Sequence, residues 1–136
     1  MNSTSLPEPP IFFVDRSLGR NVIPAALRGA NEHVKTHDEL FPQNTPDKTW
    51  LNEAGRQGWI VLTKDTRIRY HAHEIAALLN SGVRAFILTA RGDLTGAEMA
   101  EIFIKALPAI KRMAGEIPAP FIARVQRDGS VEIIPR

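Results

Sequence analysis

Short apolar runs alternate with amphipathic stretches over most of the chain. The apolar runs are rich in β-branched and aromatic residues on both faces, which is typical of strands buried inside a parallel sheet. They predict strands over residues 11–14, 59–63 and 84–89, with a weaker strand over 33–37. The amphipathic stretches place apolar residues at helical spacing. They predict helices over about 19–28, 45–57 and 73–80, and a long helix that begins at Thr95.

Residues that start and stop helices fall at the ends of these stretches. Thr45-Pro46-Asp47 combines a capping hydroxyl, a proline at the first helical position and an acid in the first turn. The segment from Thr95 to Glu98 has the spacing of a capping box. Between the second strand and the second helix, residues 38–45 are predicted to form a polar loop. Glycines are expected to end three of the helices, at Gly29, Gly58 and Gly82.

The last part of the chain has a β-hairpin pattern. Residues 121–126 and 131–134 flank Asp128-Gly129, a pair that favours a tight turn. The predicted order is therefore βαβαβαβα followed by a hairpin. Such alternation indicates a three-layer α/β/α sandwich with a central, mainly parallel sheet. Residues 1–10 contain three prolines and little that could pack, so we expect a flexible arm before one domain over 11–136.

Composition narrows the function without identifying it. The hydrophobic fraction is 43% and the charged fraction 24%, which is ordinary for a globular domain. The absence of cysteine excludes a disulfide framework, a thiolate metal site and a cysteine nucleophile. The N-terminus lacks a signal-peptide pattern, and no apolar run approaches the roughly 20 residues of a membrane span. We therefore expect a cytoplasmic protein with no membrane partner.

The charge balance is a weak argument for a nucleic-acid partner, because the formal net charge is only +2. Most of the basic residues are arginine, whose planar group can bind phosphate through two hydrogen bonds. A solvated surface of mixed charge explains any single arginine equally well.

Acidic residues follow the predicted strands at the edge where ligands bind in open α/β sheets. Asp15 ends the first strand and Asp65 ends the third. Asp38 follows the second strand, and Asp47 begins the helix that leads into the third. Three or four carboxylates should therefore meet at one edge of the sheet, although they are far apart in sequence.

Carboxylates gathered in this way repel one another unless a cation lies among them. Oxygen ligands without cysteine favour Mg²⁺ or Mn²⁺ over zinc. Such an ion, bound to phosphate oxygens and water, is typical of phosphodiester hydrolysis. Taken one at a time, each acid could instead be a helix cap or a favourable charge at a helix N-terminus. Asp15 and Asp65 are harder to explain in that way, because both directly follow strongly apolar strands.

Three segments of the chain resemble the PIN-like domain family, and in particular its VapC-like toxin ribonucleases. The segments are FVDRSLG at 13–19, TPDKTWL at 45–51 and GWIVLTKD at 58–65. The similarity runs from about residue 11 to the C-terminal hairpin. It implies a PIN-like sandwich that cleaves RNA with Mg²⁺ or Mn²⁺. In this resemblance Asp15, Asp47 and Asp65 match the metal-binding, catalytic acids.

The resemblance also implies partners. It suggests the toxin of a type II toxin–antitoxin pair, with a small antitoxin protein that covers or disrupts the acidic site, and a homodimer. The fourth acid of the family pattern stays open among Asp38, Glu39 and Asp93, of which Asp38 is preferred because it follows the second strand. Whether one or two ions bind is open for the same reason.

Basic and aromatic residues near the acids have two interpretations each. Four cations could hold the RNA backbone or could be solvated loop charges: Arg16, Lys64, Arg67 and Arg69. Trp50 and Trp59 occupy core-like positions, which favours packing over base stacking.

Two functions of other classes compete with the nuclease. A phospho-receiver domain also gathers acids at this edge, and Asp65 would be its phosphorylated residue. Against it, a receiver pairs two acids after the first strand, whereas Asp15 is followed by Arg16. A non-catalytic module that binds RNA or protein is the other alternative, and it predicts binding that is indifferent to Mg²⁺.

Overall fold

The structure is a computed structural model, and it describes residues 6–64, 72–90 and 92–134. Six strands are present in this part of the chain: β1 (Ile11–Val14), β2 (His33–Thr36), β3 (Ile60–Thr63), β4 (Arg84–Leu88), β5 (Phe121–Val125) and β6 (Val131–Ile133). Five α-helices accompany them: α1 (Val22–Gly29), α2 (His37–Leu40), α3 (Asp47–Gln57), α4 (Ala72–Asn80) and α5 (Gly96–Glu116). A short 3-10 turn, Arg16–Leu18, directly follows Asp15.

The strands form one sheet in the order β2-β1-β3-β4-β5-β6. The first five are parallel, and β6 pairs antiparallel with β5. Helices cover both faces, so the three-layer sandwich predicted from the sequence is confirmed. The C-terminal hairpin is confirmed as well, and it extends the sheet at one edge.

Alternate residues of each strand supply two separate cores. On one face, Phe12 and Leu62 pack with α1 and α5 through residues such as Ile23 and Phe103. On the other face, Phe13 packs with α3 and α4 in a smaller core that includes both tryptophans. Phe12 and Phe13 are both fully buried although they are neighbours. This explains why the strand pattern is continuously apolar instead of alternating.

Two predicted boundaries are wrong near the start of the chain. The first helix begins at Val22, because the 3-10 turn and a bend occupy the residues after Asp15. Gly29 does not leave that helix with a left-handed backbone, since it is the last helical residue. Asn31 takes the positive φ of 68° instead. Asparagine tolerates this conformation better than most residues, so the left-handed residue lies two positions beyond the end of the helix.

The predicted polar loop over 38–45 is also partly wrong, because its first residues form α2. Thr36 and Glu39 form a capping box there, with both reciprocal hydrogen bonds present. The capping box predicted at Thr95 and Glu98 is confirmed. Thr45 does not cap α3: its hydroxyl donates to the Pro42 carbonyl oxygen at 2.7 Å, and Pro46 takes the N-cap position.

Gly55 marks a close approach between α3 and the turn that follows α4. A Cβ at this position would lie 1.8 Å from the carbonyl oxygen of Ser81. Gly55→Ala should therefore lower the free energy of unfolding by about 1–3 kcal/mol or more, because the backbone has to move. Gly115→Ala is the matched control, since nothing lies within 4 Å of that Cβ and alanine favours helix. Urea denaturation of both variants measures the difference, and equal stabilities would contradict the close approach.

Among the described residues, no helix has the length and apolar character needed to cross a membrane.

Candidate active site

The strand order places one crevice at the carboxyl edge of the sheet. From β1 the chain moves to β2 on one side, and it then returns to β3 on the other side of β1. Ligands of open α/β sheets bind where the order reverses in this way. Asp15 directly follows β1, and Lys64 directly follows β3. These two positions therefore flank the switch point.

The Asp15 carboxylate is held in place by two hydroxyl groups. Its backbone N–H first continues the sheet by donating to the Leu62 carbonyl oxygen at 3.0 Å. Its Oδ2 then accepts hydrogen bonds from Ser17 Oγ and from Thr63 Oγ1, each at 2.8 Å. Thr63 is buried and lies at the end of β3. The charge is thus fixed against the neighbouring strand.

Ser17 connects this carboxylate to the segment that leaves β3. A serine hydroxyl has one hydrogen, which it donates to Asp15, so its lone pairs remain to accept. One of them accepts the Lys64 backbone N–H at 2.9 Å. The 3-10 turn that contains Ser17 therefore holds both the end of β1 and the exit from β3. The side-chain hydroxyls of Ser17 and Thr63, 46 residues apart in sequence, contact each other here.

Removal of both hydroxyls should loosen the Asp15 carboxylate without unfolding the domain. If the protein cleaves RNA with a divalent ion, as the sequence predicts, we expect the double variant Ser17→Ala with Thr63→Val to lower that cleavage by about 10- to 100-fold, the usual cost of losing partners that orient a metal ligand. Each single variant should lose less. Initial cleavage rates at increasing Mn²⁺ concentration test this prediction, which would fail if the double variant cut at the wild-type rate throughout the titration.

Asp47 is the first residue of α3, and its side chain is exposed at the start of that helix. Its Oδ1 accepts a hydrogen bond from the indole Nε1 of Trp50 at 3.1 Å. Because α3 leads into β3 of a parallel sheet, the helix begins at the same edge as the carboxyl ends of the strands. Asp47 is consequently placed at the predicted edge.

Asp38 lies on α2 and faces two arginines. Its carboxylate oxygens lie 4.0 Å from Arg16 Nε and 3.8 Å from Arg20 Nη1. Arg16 also donates to the carbonyl oxygen of Gln43 at 2.8 Å. The two arginine side chains are 45% and 69% exposed, so these pairs are weak and open to exchange. The acid preferred for the fourth position is therefore an ion-pair partner in this structure.

The other two candidates for the fourth acid lie in different settings. Glu39 completes the capping box with Thr36 and lies 3.1 Å from Arg28 Nη2. Burial pushes the pKa of Glu39 upward, but the hydrogen bonds from Thr36 and the nearby charge of Arg28 outweigh it and hold the pKa below its ordinary value. Asp93 is exposed in the segment before α5.

Three of the predicted site residues, Asp65, Arg67 and Arg69, lie outside the described residues. Within 6–64, 72–90 and 92–134, no three histidine or acidic side chains lie close enough together to hold one ion. A ligand set that combines Asp65 with Asp15 and Asp47 stays a prediction from the sequence. The donor atoms around Asp15 are carboxylate and hydroxyl oxygens, which are the ligands that hard divalent ions prefer. In chemical type, these residues fit Mg²⁺ or Mn²⁺.

The supporting residues Ser17, Thr63 and Trp50 were not predicted from the sequence. A signal was present for the two hydroxyls, because Ser17 follows Asp15 by two residues and Thr63 precedes Asp65 by two. The sequence pattern favours packing for Trp50, and the residue is buried, but its indole N–H also donates to the Asp47 carboxylate.

Comparisons with known proteins agree with this fold. A family model described as "PIN like domain" matches residues 10–90, which is more than half of the chain. A protein of Mycobacterium tuberculosis (strain ATCC 25618 / H37Rv) named "Putative ribonuclease VapC45" is 35% identical over 127 residues, covering 90% of this chain and 91% of that protein. No solved structure matches the chain. The chain thus belongs to the PIN-like domain family, and within it to the VapC-like proteins.

Proposed function

We propose that this protein is a divalent-metal-dependent endoribonuclease that hydrolyses RNA phosphodiester bonds and serves as the toxin of a type II toxin–antitoxin pair. The observation that carries the proposal is the Asp15 carboxylate, fixed by two hydroxyls at the topological switch point of the sheet. The name of its relative, "Putative ribonuclease VapC45", supports RNA as the substrate.

The residues that would hold the ion are Asp15, Asp47 and Asp65. Mg²⁺ or Mn²⁺ bound there would lower the pKa of a water molecule and would stabilise charge on the leaving oxygen. The protein's own part is to keep its carboxylates in place before the substrate arrives. Ser17 and Thr63 do this for Asp15 by donating to one oxygen of its carboxylate.

Cations around the same edge would hold the RNA backbone through its phosphates. Lys64 follows β3 directly, and Arg16 follows Asp15. Arg67 and Arg69 are proposed for the same task from the sequence. Because the Arg16–Asp38 contact is long and exposed, a phosphate could displace the carboxylate at little cost. Arg16 would then move from its acid to the substrate.

The VapC-like resemblance supports a protein partner as well. We infer a small cognate antitoxin that covers or disrupts the acidic edge, a homodimer of the toxin, and activity in the cytoplasm. A small open reading frame adjacent to the gene is the observation that would identify the antitoxin.

The test is cleavage of a mixed RNA pool by the purified protein, with Mn²⁺ or Mg²⁺ in one arm and EDTA in the other. We expect cutting with either ion, no cutting in EDTA, and recovery when excess Mn²⁺ is restored. Circular dichroism in EDTA should show an intact fold, because a domain of this size has sufficient core without a metal. If folded protein, free of any partner, cut no RNA under any condition, the proposal would be wrong, and metal-indifferent RNA binding would then favour the interaction module.

A further inference from the structure

We propose that Trp50 is a positioning residue, whose indole N–H fixes the Asp47 carboxylate for the metal. This inference rests on the proposed function, since it assigns a task within the same site. It starts from one contact: Trp50 Nε1 donates to Asp47 Oδ1 at 3.1 Å. A hydrogen bond from a neutral donor to a charged acceptor is stronger than one between neutral groups.

Asp47 needs such a partner because it is exposed on the first turn of α3. An exposed carboxylate is free to rotate about its side-chain bonds, and it loses that freedom when it binds an ion. A hydrogen-bond donor that is itself held in place by packing restricts the carboxylate before the ion binds, so part of this entropy is already lost. One oxygen is then occupied by the indole, and the carboxylate plane is set before the metal arrives.

Trp50 can act in this way because aromatic rings on two sides hold it in place. It is only 5% exposed. Its ring stacks on Phe13, with centroids 5.3 Å apart and an angle of 28° between the planes. The ring of His37, which is 2% exposed, meets it edge-on at 6.0 Å and 82°. Packing of this kind leaves the indole N–H a single direction in which to point.

The same contacts link the residue that supports Asp47 to the strand that leads into Asp15. Phe13 lies on β1, two residues before Asp15. Strand β1 thus ends in Asp15 and, through the stack of Phe13 on Trp50, also supports the donor that holds Asp47.

The chain provides a matched control in its second tryptophan. Trp59 stacks on the same Phe13 ring, at 5.4 Å and 10°, and it is 6% exposed. Among the described residues its indole makes no hydrogen bond to an acidic side chain. Trp50→Phe and Trp59→Phe therefore remove similar buried aromatic surface from one cluster, but only the first removes a donor to an acid.

The experiment first measures the affinity of the protein for Mn²⁺ by calorimetry, without RNA. It then measures the Mn²⁺ concentration needed for half-maximal RNA cleavage. We expect Trp50→Phe to lower the Mn²⁺ affinity about 10-fold and to raise the half-maximal Mn²⁺ concentration by about the same factor. This change is at the lower end of the range for residues that orient metal ligands. Trp59→Phe should stay close to the wild type in both. In an Asp47→Asn background, Trp50→Phe should have little further effect, because two residues that act as one unit are not additive.

Fluorescence gives an independent readout. The sequence has two tryptophans, so Trp59→Phe leaves Trp50 as the sole indole. Its emission should be quenched as Mn²⁺ binds, because it contacts a proposed ligand. Trp59 in the Trp50→Phe variant should respond less at equal occupancy.

Equal Mn²⁺ affinities for the two tryptophan variants would overturn the inference while leaving the nuclease intact. A wild-type protein that neither binds Mn²⁺ nor cuts RNA would overturn the proposed function, and the inference with it. If Trp50→Phe does not fold, benzothienylalanine can replace tryptophan in the Trp59→Phe background. That analogue has a sulfur in place of the N–H and keeps the ring shape, so weakened Mn²⁺ binding supports the inference and unchanged binding refutes it.

Discussion

Asp15→Asn should reduce metal-dependent RNA cleavage on the order of 1,000-fold. A metal ion contributes several kcal/mol of transition-state stabilisation, and each 1.36 kcal/mol is about a tenfold change in rate. The substitution removes the negative charge that would attract the ion. It keeps an oxygen that can still accept from Ser17 and Thr63, so the fold should survive. Initial rates on one RNA substrate, with melting temperature as the check on folding, measure the effect.

Asp38→Asn is the matched control for this prediction. It also removes one carboxylate charge near the carboxyl edge, but in the structure that charge is paired with Arg16 and Arg20. Exposed ion pairs contribute roughly 0–1 kcal/mol, so we expect a change in rate of less than about tenfold. A loss as large as that of Asp15→Asn would identify Asp38 as a ligand instead. Full cleavage by Asp15→Asn would contradict the proposed site.

The layer structure of the fold could be predicted because it depends on the spacing of apolar residues and on the order of strands and helices along the chain. Continuous apolar runs such as 11–14 can be buried on both faces only in the middle layer of a sandwich. Right-handed crossovers between parallel strands then leave few possible arrangements. Residues with a fixed local role, such as Gly58 with its φ of 75° after α3, were predicted for the same reason.

The errors arose where two residue types compete for one local role. Gly29 and Asn31 can both end a helix, and Asn31 takes the left-handed position. The segment after Thr36 is polar, which suggested a loop, but Thr36 and Glu39 have the spacing of a capping box and form a short helix. Neither choice is decided by the local sequence alone, since the packing of each segment against the sheet contributes to it.

The site was predicted in part for a different reason. The positions of Asp15 and Asp47 follow from where strands end and helices begin, which the sequence pattern gives. Their partners do not follow from it. The contact of Thr63 with Asp15 joins residues 48 apart, and it depends on the register between β1 and β3 and on side-chain rotamers. The contact of Asp38 with Arg16 could not be predicted for the same reason, because it joins the 3-10 turn after β1 to helix α2 after β2.

Asp65→Asn should reduce cleavage by a similar amount, again on the order of 1,000-fold. The described residues leading up to Asp65 support this expectation. Thr63 donates to the Asp15 carboxylate, and the Lys64 backbone N–H donates to Ser17. The segment that enters Asp65 is therefore tied to the Asp15 carboxylate by two hydrogen-bonding side chains, as expected if the two acids share one ion.

The same variant separates the nuclease from the phospho-receiver interpretation, in which Asp65 is the residue that is modified. Wild-type protein and Asp65→Asn are incubated with acetyl phosphate and Mg²⁺, and intact masses are compared with their cleavage rates. If the protein is a nuclease, Asp65→Asn loses RNA cleavage and the wild-type protein gains no phosphoryl mass. Phosphorylation of the wild type that disappears in Asp65→Asn, with no metal-dependent cutting by either protein, would instead establish the receiver.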